Sequence, residues 1–165
     1  MKEISFKNDI LPLKDRLFRL ALRITLSREE AEDIVQETLI RIWQKRDEWH
    51  EIENMESFSM TICRNLSLDL LEKKESRNVS LDEETHDMAD NSLSPDDHLV
   101  QQQKYDEIAK AIEQLPEKQR TVIQLRDIEG KNYQEIADIM GISLSDVKVN
   151  LFRGRQTLKQ KLTKE

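Results

Sequence analysis

Between Tyr133 and Arg155 the sequence reads YQEIADIMGISLSDVKVNLFRGR, and its side chains are of the kinds that neutralise phosphate and touch base edges. At helical spacing, Val147, Leu151, Gly154 and Leu158 share one face, which leaves Ser145, Lys148, Val149, Phe152 and Arg153 spread over the others. A helix-turn-helix divides its second helix in this way, burying one stripe and offering the other to the major groove. A helical hairpin whose basic residues are merely solvated has the same pattern, so the stretch alone leaves both readings open.

Positioning such a helix requires a partner helix and a tight turn, and both can be read from the residues. Ile136, Ala137 and Met140 form one apolar face of a short first helix, and Gly141 supplies the positive φ that lets the chain turn. Asn132 followed by Glu135 predicts a capping box at the start of the first helix, and Ser143 followed by Asp146 a similar start for the second.

The rest of the chain carries further helical periodicity. Charged residues make up 36% and aromatics 5% of 165 residues, with three glycines and three prolines, a balance that predicts an all-α fold. Ile10, Leu13, Leu17, Leu20, Ala21 and Ile24 predict a first helix over about 10–25. Ser27 with Glu30 caps a second, carried by Ala31, Ile34, Val35, Leu39 and Ile42 to about Lys45, with Asp33, Gln36, Glu37 and Arg41 on its other faces and Trp43 near its end. A solvated charged face accounts for those polar residues as well as a binding surface does. Arg46 to Glu56 loses periodicity and reads as a loop in which Trp49 either packs back on the helices or offers a stacking surface to an unpaired base. Phe58, Ile62, Leu66 and Leu70 set a third helix, beside whose stripe Asn65 is either a satisfied buried amide or a ligand contact.

From 76 to 94 the chain is acidic, polar and aperiodic, which predicts a flexible linker with a root-mean-square span of about 25 Å. Ser94-Pro95 starts a helix continuing to about Gln114, and Pro116 opens another that ends near Gly130. The predicted organisation is therefore two small helical domains, 1–75 and 95–165, joined by the linker 76–94 and ending in the helix-turn-helix.

Charge and cysteine content exclude several classes. The net charge of −7 is uneven: −3 over 1–75, −6 over 76–102 and +2 over 103–165, with +4 from Leu144 onward. A basic footprint confined to the last helix, on a molecule repelled by DNA at long range, implies that a partner assists DNA binding. Cys63 is the single cysteine and His50, His86 and His98 lack ligand spacing, so neither a disulfide nor a metal site is expected, and Cys63 reads as a small packed residue. There is no nucleophile with a base at plausible spacing and no phosphate loop, so no catalysis, cofactor or small-molecule substrate is expected. No apolar run approaches the roughly 18 residues of a membrane span, and the N-terminus lacks a signal-peptide core, so a cytoplasmic location is expected.

Over nearly its whole length the chain resembles the extracytoplasmic-function (ECF) sigma factors of bacterial RNA polymerase. AEDIVQETLIRIWQKRDEW (31–49) resembles the family's polymerase-binding helix, SFSMTICRNLSLDLLEKK (57–74) its promoter-melting helix, and the segment from Ile112 to Leu162 its second domain. By that resemblance Asp33, Gln36, Glu37, Arg41 and Trp43 would grip the coiled coil of the polymerase's largest subunit. The segment 46–56, with Trp49, would capture a base flipped from the minus-ten element, and Arg64 and Asn65 would hold phosphate and read a base edge. The helix from Leu144 to Leu158 would lie in the major groove of the minus-thirty-five element. There Lys148 and Arg153 match basic positions of the family, Arg155 would reach the backbone, and Ser145 lies on the same helix. Val149 and Asn150 stand where familiar members carry Ser-Arg, so the promoter sequence read there is open. The partners implied are core polymerase and promoter DNA, with an anti-sigma factor allowed. A stand-alone helix-turn-helix regulator and a helical adaptor are the rival readings; neither accounts for both N-terminal blocks.

Overall fold

A computed structural model describes residues 3–77 and 99–163, and within them the chain is all-α with no strand. Most of the predicted linker, and the Ser94-Pro95 helix start, lie outside the described residues. A π-helical turn, Phe6–Ile10, and a 3₁₀ turn, Leu11–Leu13, lead into α1 (Lys14–Thr25), so the predicted first helix begins four residues later than its apolar pattern does. Leu26 closes α1 in the left-handed region at φ 61°. Ser27 then caps α2 (Arg28–Gln44), its hydroxyl accepting from the Glu30 amide at 3.3 Å.

The predicted loop at 46–56 is instead a 3₁₀ helix over Arg46–Glu51 followed by a short extended connection. An aromatic anchor explains the difference: the Trp49 indole N–H donates to the Ile42 carbonyl at 3.0 Å, which ties the segment to the end of α2. The third helix, α3, runs Met55–Arg77 and so takes in residues 76 and 77, which were expected in the linker.

In the C-terminal half, α4 (Leu99–Glu113) is followed by α5 (Glu117–Ile123), which passes into a π-helical turn, Gln124–Ile128. Gly130, at φ 73°, ends that element. The predicted helix-turn-helix follows as α6 (Tyr133–Met140) and α7 (Leu144–Thr163), with Gly141 between them at φ 66°. Both halves of the Asn132/Glu135 capping box form, and the Ser143 hydroxyl accepts from the Asp146 amide at 3.0 Å.

The two halves share one core. Leu17, Leu20 and Ile24 of α1 and Met60 and Cys63 of α3 belong to the same buried cluster as Leu115, Val122, Leu125, Ile136 and Val147. Each of the aliphatic and methionine side chains among them contributes about 1.5–3 kcal/mol when fully buried. Within it the Cys63 thiol lies 3.4 Å from the Leu17 carbonyl, and burial pushes its pKa up to about 12, fitting the packed residue expected. A smaller cluster of Ile10, Ile42 and Trp49 lies beneath the N-terminal turn.

Candidate nucleic-acid and protein interfaces

On α7 the stripe of Val147, Leu151 and Gly154 is buried, whereas Ser145, Lys148, Val149, Phe152, Arg153 and Arg155 are exposed. Gly154 explains how closely α7 approaches α5: a Cβ there would stand 2.7 Å from Ile123 Cδ1. Asn150 is half-buried, and its amide already donates to the Asp146 carbonyl at 2.8 Å, leaving it part of its hydrogen-bonding capacity. Arg155 forms a two-point ion pair with Asp127, and hydrogen bonding to that carboxylate raises its pKa. The Lys148 ammonium lies 5.9 Å from the Tyr133 ring centre, and the Arg126 guanidinium lies 4.7 Å from the same ring. Phe152, 65% exposed and lining a shallow surface with Tyr133, Lys148 and Arg155, was passed over as a contact residue although its three-residue spacing from Val149 places it on the same face.

The second exposed surface is on α2. Asp33, Gln36, Glu37, Arg41 and Trp43 all face solvent, with Arg41 and Glu37 paired at 3.2 Å. Ile40, 49% exposed, lies within this set and was missed, although it is four residues on from Gln36 and three from Glu37. It lines a groove of about 380 Å³ with Phe6, Leu39 and Trp43, so this surface is apolar at one side and charged at the other. Phe6 is brought there by the N-terminal turn, its ring 5.5 Å from Trp43 edge-on and 6.5 Å from Trp49.

Two residues expected at DNA are placed otherwise. Trp49 is 8% exposed within the smaller core cluster, so of the two readings its packing role is the one seen, and its face is closed to a base in this state. Arg64 is 4% exposed, because α3 packs against α6 and the guanidinium turns into that contact. Its Nε and Nη2 donate to Glu117 at 3.3 and 3.1 Å, and Nη1 to the Met140 carbonyl at 3.0 Å. Asn65, the next residue, is exposed. Among the described residues no group of three or more potential metal ligands comes together, and no helix is long and apolar enough to cross a membrane.

An all-helical chain that sets an exposed acidic and aromatic helix before a C-terminal helix-turn-helix has the architecture of a two-part transcription factor. Residues 10–77 match the family model for sigma-70 region 2, and residues 100–158 that for sigma-70 region 4. The chain is 32% identical over 159 residues to the ECF RNA polymerase sigma factor SigW of Bacillus subtilis, covering 90% of this chain and 84% of that protein. It is 30% identical over 151 residues to the ECF sigma factor SigE of Mycolicibacterium smegmatis, covering 91% of this chain but 58% of that longer relative. Among solved structures, the sigma factor RpoE of Bartonella quintana, in complex with the anti-sigma factor NepR, superposes with a TM-score of 0.75 at 26% identity over 96% of each chain. With both regions matched in order, the chain belongs to the ECF sigma factors of the sigma-70 family.

Proposed function

We propose that this chain directs bacterial core RNA polymerase to a set of promoters and assists their melting, the polymerase alone making the bonds. The observation that carries this reading is the division of α7, with Val147 and Leu151 buried while Lys148, Val149, Phe152 and Arg153 are exposed, on a chain whose α2 presents a second free surface. On α7, Lys148 and Arg153 supply charge to phosphate, and Ser145, Val149 and Asn150 meet base edges. Arg155 joins them when its pair with Asp127 yields to the DNA backbone.

On α2, Asp33, Gln36, Glu37 and Arg41 fix the register of the polymerase contact, and Trp43 with Ile40 gives it an apolar anchor. Asn65 reads the minus-ten strand beside Arg64. The protein works in the cytoplasm, where polymerase and promoter are, without catalysis of its own. An anti-sigma factor is a further partner, a reading supported by the RpoE–NepR neighbour.

Adding the protein to core polymerase and mapping transcription starts across a bacterial genome tests the whole reading, and unchanged starts overturn it. The double substitution Lys148→Ala/Arg153→Ala separates the two surfaces. It is expected to abolish promoter-specific initiation with core binding intact and to reduce the slope of log affinity against log salt by about 2.

A further inference from the structure

Two apolar side chains stand where a groove-facing helix needs its base contacts. Val149 is two residues from each of Val147 and Leu151, which puts it about 160° round α7 from both members of the buried stripe, at the centre of the exposed face. It is 42% exposed, and Phe152, about 60° from it round the helix, is the most exposed large apolar side chain among the described residues. The polar groups sit at the flanks. Lys148 and Asn150 each lie about 100° from Val149, the first with its ammonium beside the Tyr133 ring and the second with an amide hydrogen spent on the Asp146 carbonyl. Arg155 is further round still and paired with Asp127. We propose that this chain reads its minus-thirty-five element through the 5-methyl group of a thymine, which Val149 and the Phe152 ring cover between them. The proposal rests on the function given above and names the base that the centre of α7 selects.

The chemistry of the major groove selects thymine for such a surface. Its 5-methyl is the one methyl group that a base edge presents there, whereas guanine offers two acceptors and cytosine a donor. Valine has no hydrogen bond to give to guanine, and seating it on those polar edges strips them of water without replacement. An apolar contact also accounts for Phe152, whose ring leaves water when it covers a methyl. Arg153, four residues beyond Val149, lies about 6 Å further along the axis, so a fork from its guanidinium to guanine falls on a neighbouring base pair. The flanking cations then hold phosphate while the middle of the helix carries the choice of base.

The test uses holoenzyme assembled from the full chain and core polymerase, with promoter duplexes randomised across the minus-thirty-five element of a start site that the chain directs. Each duplex carries a transcribed barcode, so RNA counts rank the upstream sequences. Wild type is expected to favour thymine at one position, on either strand; Val149→Ser should lose that preference and Val149→Ile keep it. Replacing that thymine by deoxyuridine removes the methyl alone. It should weaken promoter binding by wild-type holoenzyme about 4-fold, equivalent to about 0.8 kcal/mol for one buried methyl group. The same replacement should make no difference to Val149→Ser, and Phe152→Ala should shrink its cost. The wild-type ratio should hold between about 50 and 200 mM salt, where phosphate contacts weaken steeply. Deoxyuridine without effect at every thymine of the element, or a Val149→Ser preference identical to wild type, overturns the proposal. So does a guanine preference at the position that Val149→Ser alters. Core binding by Val149→Ser at wild-type strength shows that its altered preference is not a loss of fold. A wild-type holoenzyme that initiates on no member of the pool overturns the function itself, and the proposal with it, before any base preference is read.

Discussion

At the scale of single residues, glycines and cap residues act on their immediate neighbours, and the consequences of substituting them follow from those contacts. Gly141 and the caps at Asn132 and Ser143 form as their sequence positions imply. Gly154 was assigned to the buried stripe, but the reason for glycine there lies in Ile123 of α5. Gly154→Val is therefore expected to destabilise the fold by about 1–3 kcal/mol in urea unfolding, through overpacking. Gly154→Ala should be close to neutral, since the flexible Ile123 terminus can shift and alanine gains about 1 kcal/mol in helix propensity. Leu26 offers the converse: with φ at 61° and its side chain 42% exposed, Leu26→Gly should raise stability by up to about 1 kcal/mol on thermal unfolding. Glu56 gives a pH dependence. Burial alone would raise its pKa, but hydrogen bonds from Lys131 and Arg16 bring it below its ordinary value near 4.5. A depressed folded pKa means stability that is present above the unfolded value and lost as pH falls through the folded one. Wild type should then lose more stability than Glu56→Gln when acidified below about pH 4.5, measured by urea midpoints.

Helices were legible as elements wherever their apolar stripe was complete within the element, as in α1, α2 and α6. What could not be read was how one element finishes another. The last carbonyls of α1 lack intrahelical partners, and Arg120 of α5 satisfies two of them, donating to Arg23 and Ile24 at 2.8 Å while also donating to Leu115 at 2.9 Å. Sequence separations of 96 and 97 leave no local trace of that contact. The same distance effect hid the burial of Arg64. Segment 46–56 was misread for a related reason, since the anchor of its 3₁₀ helix is a tryptophan bonding backward to α2. A lysine cannot reach three separate carbonyls, so Arg120→Lys should lower unfolding free energy by about 1–3 kcal/mol, with the loss seen in urea melts of the full chain. The free α7 surface, by contrast, should be little affected in that variant, and its helical signal should persist until global unfolding.

For the molecule as a whole, the two-block organisation was legible from charge and periodicity, and the two family regions fall on either side of the acidic stretch. That the blocks share a core was not, because a hydrophobic stripe records that it is buried without recording what covers it. Leu115, Val122 and Ile136 cluster with Leu17, Leu20 and Ile24, so the free chain should unfold in a single calorimetric transition with calorimetric and van't Hoff enthalpies in agreement. Two resolved transitions would show that the halves are held together weakly compared with their own cores.

Both tryptophans of the chain, Trp43 and Trp49, stand 6.1 Å apart in the N-terminal half, one 46% exposed and the other 8%. Intrinsic fluorescence is consequently a one-sided reporter. Polymerase landing on α2 should shift the emission of the exposed indole to the blue, whereas DNA landing on α7 should leave the spectrum almost unchanged. A titration read at a single wavelength can therefore separate the protein partner from the nucleic acid without any attached label.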